Sequence, residues 1–186
     1  MPRSRRAYDM AILKHQRNSL MKLYTVSTLS LLLVVLSSSI GHAETADEMI
    51  QRGRYLVSIS GCNDCHTPNF PERGGQVPEA EWLTGVEVGF RGPWGTSYPS
   101  NLRIVASQMN ETQFIARARS EMLPPMPWFS LRAMSDADLT AVYQFIKSLG
   151  RSGEPAPLYA APGEKTMTPY IVFVPQSGDQ ETVATH

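Results

Sequence analysis

Cys62-Asn63-Asp64-Cys65-His66 holds the only two cysteines among the 186 residues of this chain. Two thiols separated by two residues and followed at once by an imidazole form the pattern of covalent haem attachment. The thiols add to the two haem vinyl groups and the histidine falls onto the iron. Other uses of the pair need more than the sequence supplies. A dithiol redox motif sits at the strand-to-helix junction of a βαβ pattern, and none flanks residue 62. Structural zinc takes four Cys or His ligands, and after residue 43 the only histidine besides His66 is His186. A plain disulfide would leave the adjoining histidine without a task. The stretch therefore predicts one covalently attached haem c, held by Cys62 and Cys65, with His66 as an axial iron ligand.

Upstream of this motif the chain reads as an export leader. Met21-Lys22-Leu23 opens a largely apolar run to Leu36, and small residues then lead to Gly41-His42-Ala43, the form of a cleavage site. The run is about fourteen residues, short of the roughly twenty that span a bilayer. Cleavage after Ala43 is the expectation, with a periplasmic destination. Residues 1–20 are basic and irregular, so Met21 is an alternative start. The chain carries 17 basic and 17 acidic residues, of which six basic and one acidic precede residue 44. Residues 44–186 keep 11 and 16, a net charge of −5. That balance argues against nucleic-acid binding and suits a partner with a basic docking patch.

Removing 43 of 186 residues leaves 143, enough for one small domain. Thr45-Ala46-Asp47-Glu48 has the form of a capping box. It predicts a first helix with Met49, Ile50, Tyr55, Leu56 and Ile59 on its apolar face, ending by Gly61. Residues 67–107 are rich in Gly and Pro without sustained periodicity, a length of irregular chain that a buried haem would organise. Asn110 to Gln113 opens a second helix running to about Glu121, with Phe114, Ile115 and Ala118 inward. Met122 to Ser130 reads as a Pro-rich loop. Ser135 to Asp138 starts a last helix carrying Leu139, Val142, Tyr143, Ile146 and Leu149, closed by Gly150. No strand signal is strong before residue 170. Five prolines in residues 151–186 exclude a long helix there, and Tyr170 to Val174 is β-branched and apolar enough for a short strand. The domains expected are thus a leader over 1–43, a haem domain over 44–150 and a Pro-containing extension over 151–186.

The second axial position falls to a methionine, whose soft thioether binds ferrous iron and raises the reduction potential. After residue 43 the methionines are Met49, Met109, Met122, Met126, Met134 and Met167. Met126 is the choice: Pro124-Pro125-Met126-Pro127 stiffens its loop and limits the entropy lost on binding. It also follows His66 by about sixty residues. The other methionines read as core filler.

Taken together, Cys62 to His66, Met126-Pro127 and the Ser135 to Leu139 helix start resemble a class I cytochrome c. Gly53-Arg54-Tyr55-Leu56 and Pro124-Pro125-Met126-Pro127-Trp128 are similar to single haem domains of one group within it. These are the periplasmic cytochrome c subunits serving membrane-associated alcohol, aldehyde and sugar-acid dehydrogenases. The resemblance covers roughly residues 48–150. It implies an all-α fold of about three to four helices wrapped around one covalent haem, with an irregular C-terminal extension. It also implies that a backbone carbonyl of a Pro-Asn-Leu element accepts a hydrogen bond from the ligand histidine Nδ1. Here that element is Pro99-Ser100-Asn101-Leu102, one residue longer, so Pro99 and Ser100 both qualify. Pro99, Asn101 and Arg103 are the further candidates for haem-pocket contacts. Arg103 reads either as a partner of a haem propionate or as a solvated surface arginine. Trp94 and Tyr98 either donate to propionates or pack on the ring, with packing favoured.

The expected function is a one-electron carrier between a dehydrogenase or respiratory donor and an acceptor or oxidase. No nucleophile–base pair is visible, so an enzyme is not expected. Two alternatives stand beside it. One is an electron-entry subunit held permanently in a dehydrogenase complex, and the other a haem peroxidase or gas-binding protein with an open iron site. Membrane contact is expected only through a partner or an uncleaved leader.

Overall fold

The computed structural model describes residues 44–175. The leader expected over 1–43 and the chain end from Gln176 lie outside them. Helix α1 (Ala46–Ile59) begins with the capping box read from the sequence, Thr45 and Glu48 each bonding the other's backbone N–H. Its buried stripe runs through Gly53 and Val57, with Ile50 and Leu56 packed beside them. Tyr55 and Ile59, expected inward, are exposed. Two residues past the helix end, Gly61 with its positive φ of 68° turns the chain directly into α2 (Cys62–His66).

The core forms where α1 crosses α6 (Asp136–Ser148), the most extensive contact between elements of the fold. A Cβ on Gly53 would lie 1.9 Å from the Ala141 carbonyl oxygen, so only glycine lets these two backbones approach so closely. Val57, Val142, Phe145 and Ile146 close the core with Trp82, whose ring meets Phe145 and Phe70 edge-on. Helix α6 buries Leu139, Val142, Tyr143 and Ile146 as its pattern predicts. Helix α4 (Glu111–Arg119) is capped reciprocally by Asn110 and Gln113, and ends two residues short of the expected Glu121.

The all-α expectation of three to four helices needs correction. Among the described residues there are six α-helices, one 3₁₀ turn (Glu79–Glu81) and a three-stranded sheet. Strands β1 (Gly89–Gly92) and β2 (Gly95–Ser97) form an antiparallel hairpin. Strand β3 (Tyr170–Val172) pairs parallel to β1, giving the order β2-β1-β3. Two further helices lie in stretches read as irregular, α3 (Leu102–Gln108) and α5 (Trp128–Ala133). Each is two turns or less, too short for a 3.6-residue period to declare itself. The hairpin is hidden likewise, since glycines bound β1 on both sides and leave two side chains to alternate.

Candidate haem site

Helix α2 carries the attachment motif, and the packing around it sets one nitrogen of His66 free. His66 is buried, and its Nδ1 lies 2.7 Å from the Ser100 carbonyl oxygen. A carbonyl only accepts, so Nδ1 carries the proton and Nε2 keeps its lone pair. Burial lowers the imidazole pKa, and the Ser100 bond opposes that shift, so the neutral ring is favoured. Of the two carbonyls the sequence left open, Ser100 takes this role, while that of Pro99 receives Val86 N–H at 3.3 Å.

Several backbone threads converge here. The His66 carbonyl accepts from Gly85 N–H at 2.8 Å, and a Cβ on Gly85 would stand 2.8 Å from Asn101 N. Glycine there, at φ 81°, lets residue 85 slide between His66 and the Ser100–Asn101 segment. Next to His66, Thr67 donates to Asn63 Oδ1 at 2.7 Å and accepts from Leu83 N–H at 2.8 Å. Leu83 is fully buried at φ 60°, a conformation costly for leucine, and its carbonyl receives Leu102 N–H. Surrounding structure over-determines that residue, as a strained position requires.

Asn101 and Arg103 support this region from behind. The Asn101 side chain caps α3 through Ile104 N–H and donates to the carbonyls of Ser152 and Glu154. Arg103 is not a solvated surface arginine. It is buried, and its three guanidinium nitrogens donate to the carbonyls of Leu149, Gly150 and Ala80. Leu149 and Gly150 stand at the C-terminus of α6, where a cation is favoured. Arg103 thereby ties the end of α6 to the loop bearing Ser100, a role for which arginine in an irregular run gives no sequence signal.

The thiols are free and half-buried. Burial, with Asp64 and Cys65 adding to it, pushes the Cys62 thiol up to about 11. Burial followed by Asp64 raises Cys65 as well. Thiols so protonated are poor dithiol-exchange nucleophiles, which need a depressed pKa. Among the described residues, no three His, Cys, Asp or Glu side chains gather as a metal-ion cluster.

Met126 stands half-buried between α4 and α5, in a loop the sequence picked out. Its N–H bonds the Leu123 carbonyl and its own carbonyl accepts from Trp128 N–H. Ser97 at the end of β2 donates to the Pro124 carbonyl at 2.5 Å. On the far side Arg119 reaches the Leu131 and Arg132 carbonyls and Asp136. Tyr98 spends its hydroxyl on Thr168 Oγ1 at 2.7 Å. Trp94 packs edge-on against Phe173, and its Nε1 is buried with no acceptor among the described residues. An imidazole nitrogen without a hydrogen bond and two free thiols are the donor set a covalent haem takes, a lone pair for its iron and two sulfurs for its vinyl groups.

A family model described as cytochrome c matches residues 50–150. The chain belongs to the cytochrome c family. It is a class I c-type cytochrome, and Cys62, Cys65 and His66 fit the C-x-x-C-H motif of covalent haem c attachment. Among curated proteins it is similar to the cytochrome c subunit of the quinone alcohol dehydrogenase of Gluconobacter oxydans (strain 621H). The two are 26% identical over 125 residues, covering 61% of this chain and 24% of that subunit. The chain thus matches about a quarter of the length of that relative. No solved structure matches. A cytochrome c domain fits electron transfer, and among the described residues no helix is long and apolar enough to cross a membrane.

Proposed function

We propose that this cytochrome is a periplasmic electron carrier whose single haem is bound through Cys62 and Cys65 and ligated by His66 and Met126. The observation that carries the reading is the 2.7 Å contact from His66 Nδ1 to the Ser100 carbonyl, which presents a neutral Nε2 lone pair. Haem c supplies a one-electron ferric/ferrous couple when bound. His66, oriented and made more basic by Ser100, would hold the iron from one side. Met126, on a loop stiffened by Pro125 and Pro127, would hold it from the other. With both side chains on the iron no substrate would have a place there, which suits a carrier rather than a peroxidase or gas-binding protein.

In this reading residues 1–43 are the export leader, 44–150 the haem domain and 151–186 an extension of it. Donor and acceptor are redox proteins, a dehydrogenase or respiratory component on one side and an oxidase or other acceptor on the other. The net charge of −5 over residues 44–186 favours a basic docking patch on the partner. Visible spectra of the exported protein test the ligation. Oxidised wild type should show a weak sulfur-to-iron band at the red end, and Met126→Ala should lose it while retaining covalent haem. A band unchanged in Met126→Ala would move the ligand elsewhere, and none in wild type would restore the open-site reading.

A second reading, a subunit held permanently to a dehydrogenase, draws on one observation. Leu158, Met167, Ile171, Val172 and Phe173 expose apolar surface along one short segment. Stoichiometric co-purification with a flavin-, quinone- or molybdenum-containing subunit would select it over a diffusing carrier.

A further inference from the structure

We infer that residues 159–173 form a strap that holds the Met126 loop in place through the β1–β2 hairpin; the inference rests on Met126 being an iron ligand. The strap lies beyond the 50–150 stretch matched by the family model. It is stitched to the hairpin at many points. Ala160 and Thr96 exchange both backbone hydrogen bonds, at 2.7 and 3.0 Å. The Tyr159 hydroxyl donates to the Trp94 carbonyl at 2.7 Å, and Tyr98 and Thr168 share a bond of 2.7 Å. Arg91 donates to Thr96 and Thr166 at 2.9 Å each, with its guanidinium 3.6 Å above the Tyr170 ring. Phe173 N–H bonds the Arg91 carbonyl, and its ring stands edge-on to both Phe90 and Trp94.

The alternation of a strand then carries the constraint across. Successive residues of β2 face opposite sides. Thr96 engages the strap by its backbone while its hydroxyl accepts from Arg91 within the hairpin, Tyr98 just past β2 engages the strap by its hydroxyl, and Ser97 between them donates to the Met126 loop. There its hydroxyl donates to the Pro124 carbonyl at 2.5 Å, two residues before Met126. The other hydrogen bonds found at residues 122–127 stay within the loop or run to α5. Ser97 is therefore the point at which the hairpin, braced by the strap, fixes the approach of Met126. Loosening either the Ser97 bond or the strap raises the fraction of molecules in which the thioether is away from iron and an external ligand can enter.

The test is the affinity of ferric, full-length protein for imidazole, read together with the sulfur-to-iron band. Losing one neutral hydrogen bond should raise the imidazole affinity of Ser97→Ala about three- to tenfold. Phe173→Ala, half-exposed and outside the core cluster, should raise it in the same direction while covalent haem is retained. Leu158→Ala, just before the strap and 90% exposed, should match wild type. A normal band with unchanged imidazole affinity in both Ser97→Ala and Phe173→Ala overturns the strap alone. A wild type without the band, or a Met126→Ala that keeps it, overturns the Met126 assignment itself.

Discussion

His66 and Met126 are held by opposite kinds of construction. His66 is buried on a short helix between the α1–α6 crossing and a knot of backbone bonds from residues 83–85 and 100–103. Met126 is half-buried on a proline-stiffened loop that the hairpin touches by one hydrogen bond, from Ser97 to Pro124, while Arg119 ties α4 to the end of α5 beyond it. The first arrangement shares its stability with the global core, so the histidine should release only when the domain unfolds. The second has few ties to the core, the arrangement expected to open locally at a free energy below the global one. In the proposed ligation, such an asymmetric site would keep the His66 side constant and let the Met126 side be tuned.

The largest way to break that contrast is at the helix crossing. Gly53→Ala places a methyl within 1.9 Å of the Ala141 oxygen, against backbone that has no rotamer to yield. A cost of about 3 kcal/mol is expected, seen as a lower denaturant midpoint for the holoprotein. The sulfur-to-iron band should stay normal below that midpoint, since the Met126 loop does not rest on Gly53. Next in size is Asn101→Ala. It removes the α3 cap and leaves the Ser152 and Glu154 carbonyls without a donor, for about 2–3 kcal/mol by chemical unfolding. Loss of the band in either variant while the fold persists would show the two sides to be one unit after all.

The sequence carried the strong local signals and lost the rest to tertiary context. Thr45 and Glu48, Asn110 and Gln113, and Ser135 with Asp138 sit where capping chemistry puts them. The C-x-x-C-H run and the family were legible because their chemistry depends on spacing along the chain. Tyr55 and Ile59 face outward because the buried stripe follows Gly53, and a glycine that marks a close helix crossing looks like a gap in the apolar pattern. Arg103 was unreadable for a different reason. Its partners are backbone carbonyls some 23 to 47 residues away, and a backbone acceptor leaves no trace in residue identity. The choice of Ser100 over Pro99 was hidden likewise, being decided by which peptide plane faces His66.

The smallest effect sharpens the contrast from the pH side. Asp138 accepts from the Ser135 hydroxyl at 2.7 Å and from Arg52 at 2.6 and 3.0 Å, joining α6 to α1. The Ser135 hydrogen bond first, then Arg52, hold its carboxyl below the ordinary range. A depressed folded pKa gives stability that is present above the unfolded value of about 3.9 and lost as pH falls through the folded one. Asp138→Asn should therefore lower the unfolding free energy by about 0.5–1 kcal/mol at pH 7, a modest figure because the pair is solvent-screened. The difference from wild type should close as the pH drops below about 4. A difference that persists unchanged into acid would assign the loss to packing instead of charge. Because this pair braces the crossing and not the loop, the imidazole affinity of Asp138→Asn should equal that of wild type at neutral pH, which separates the stability of the His66 side from the opening of the Met126 side.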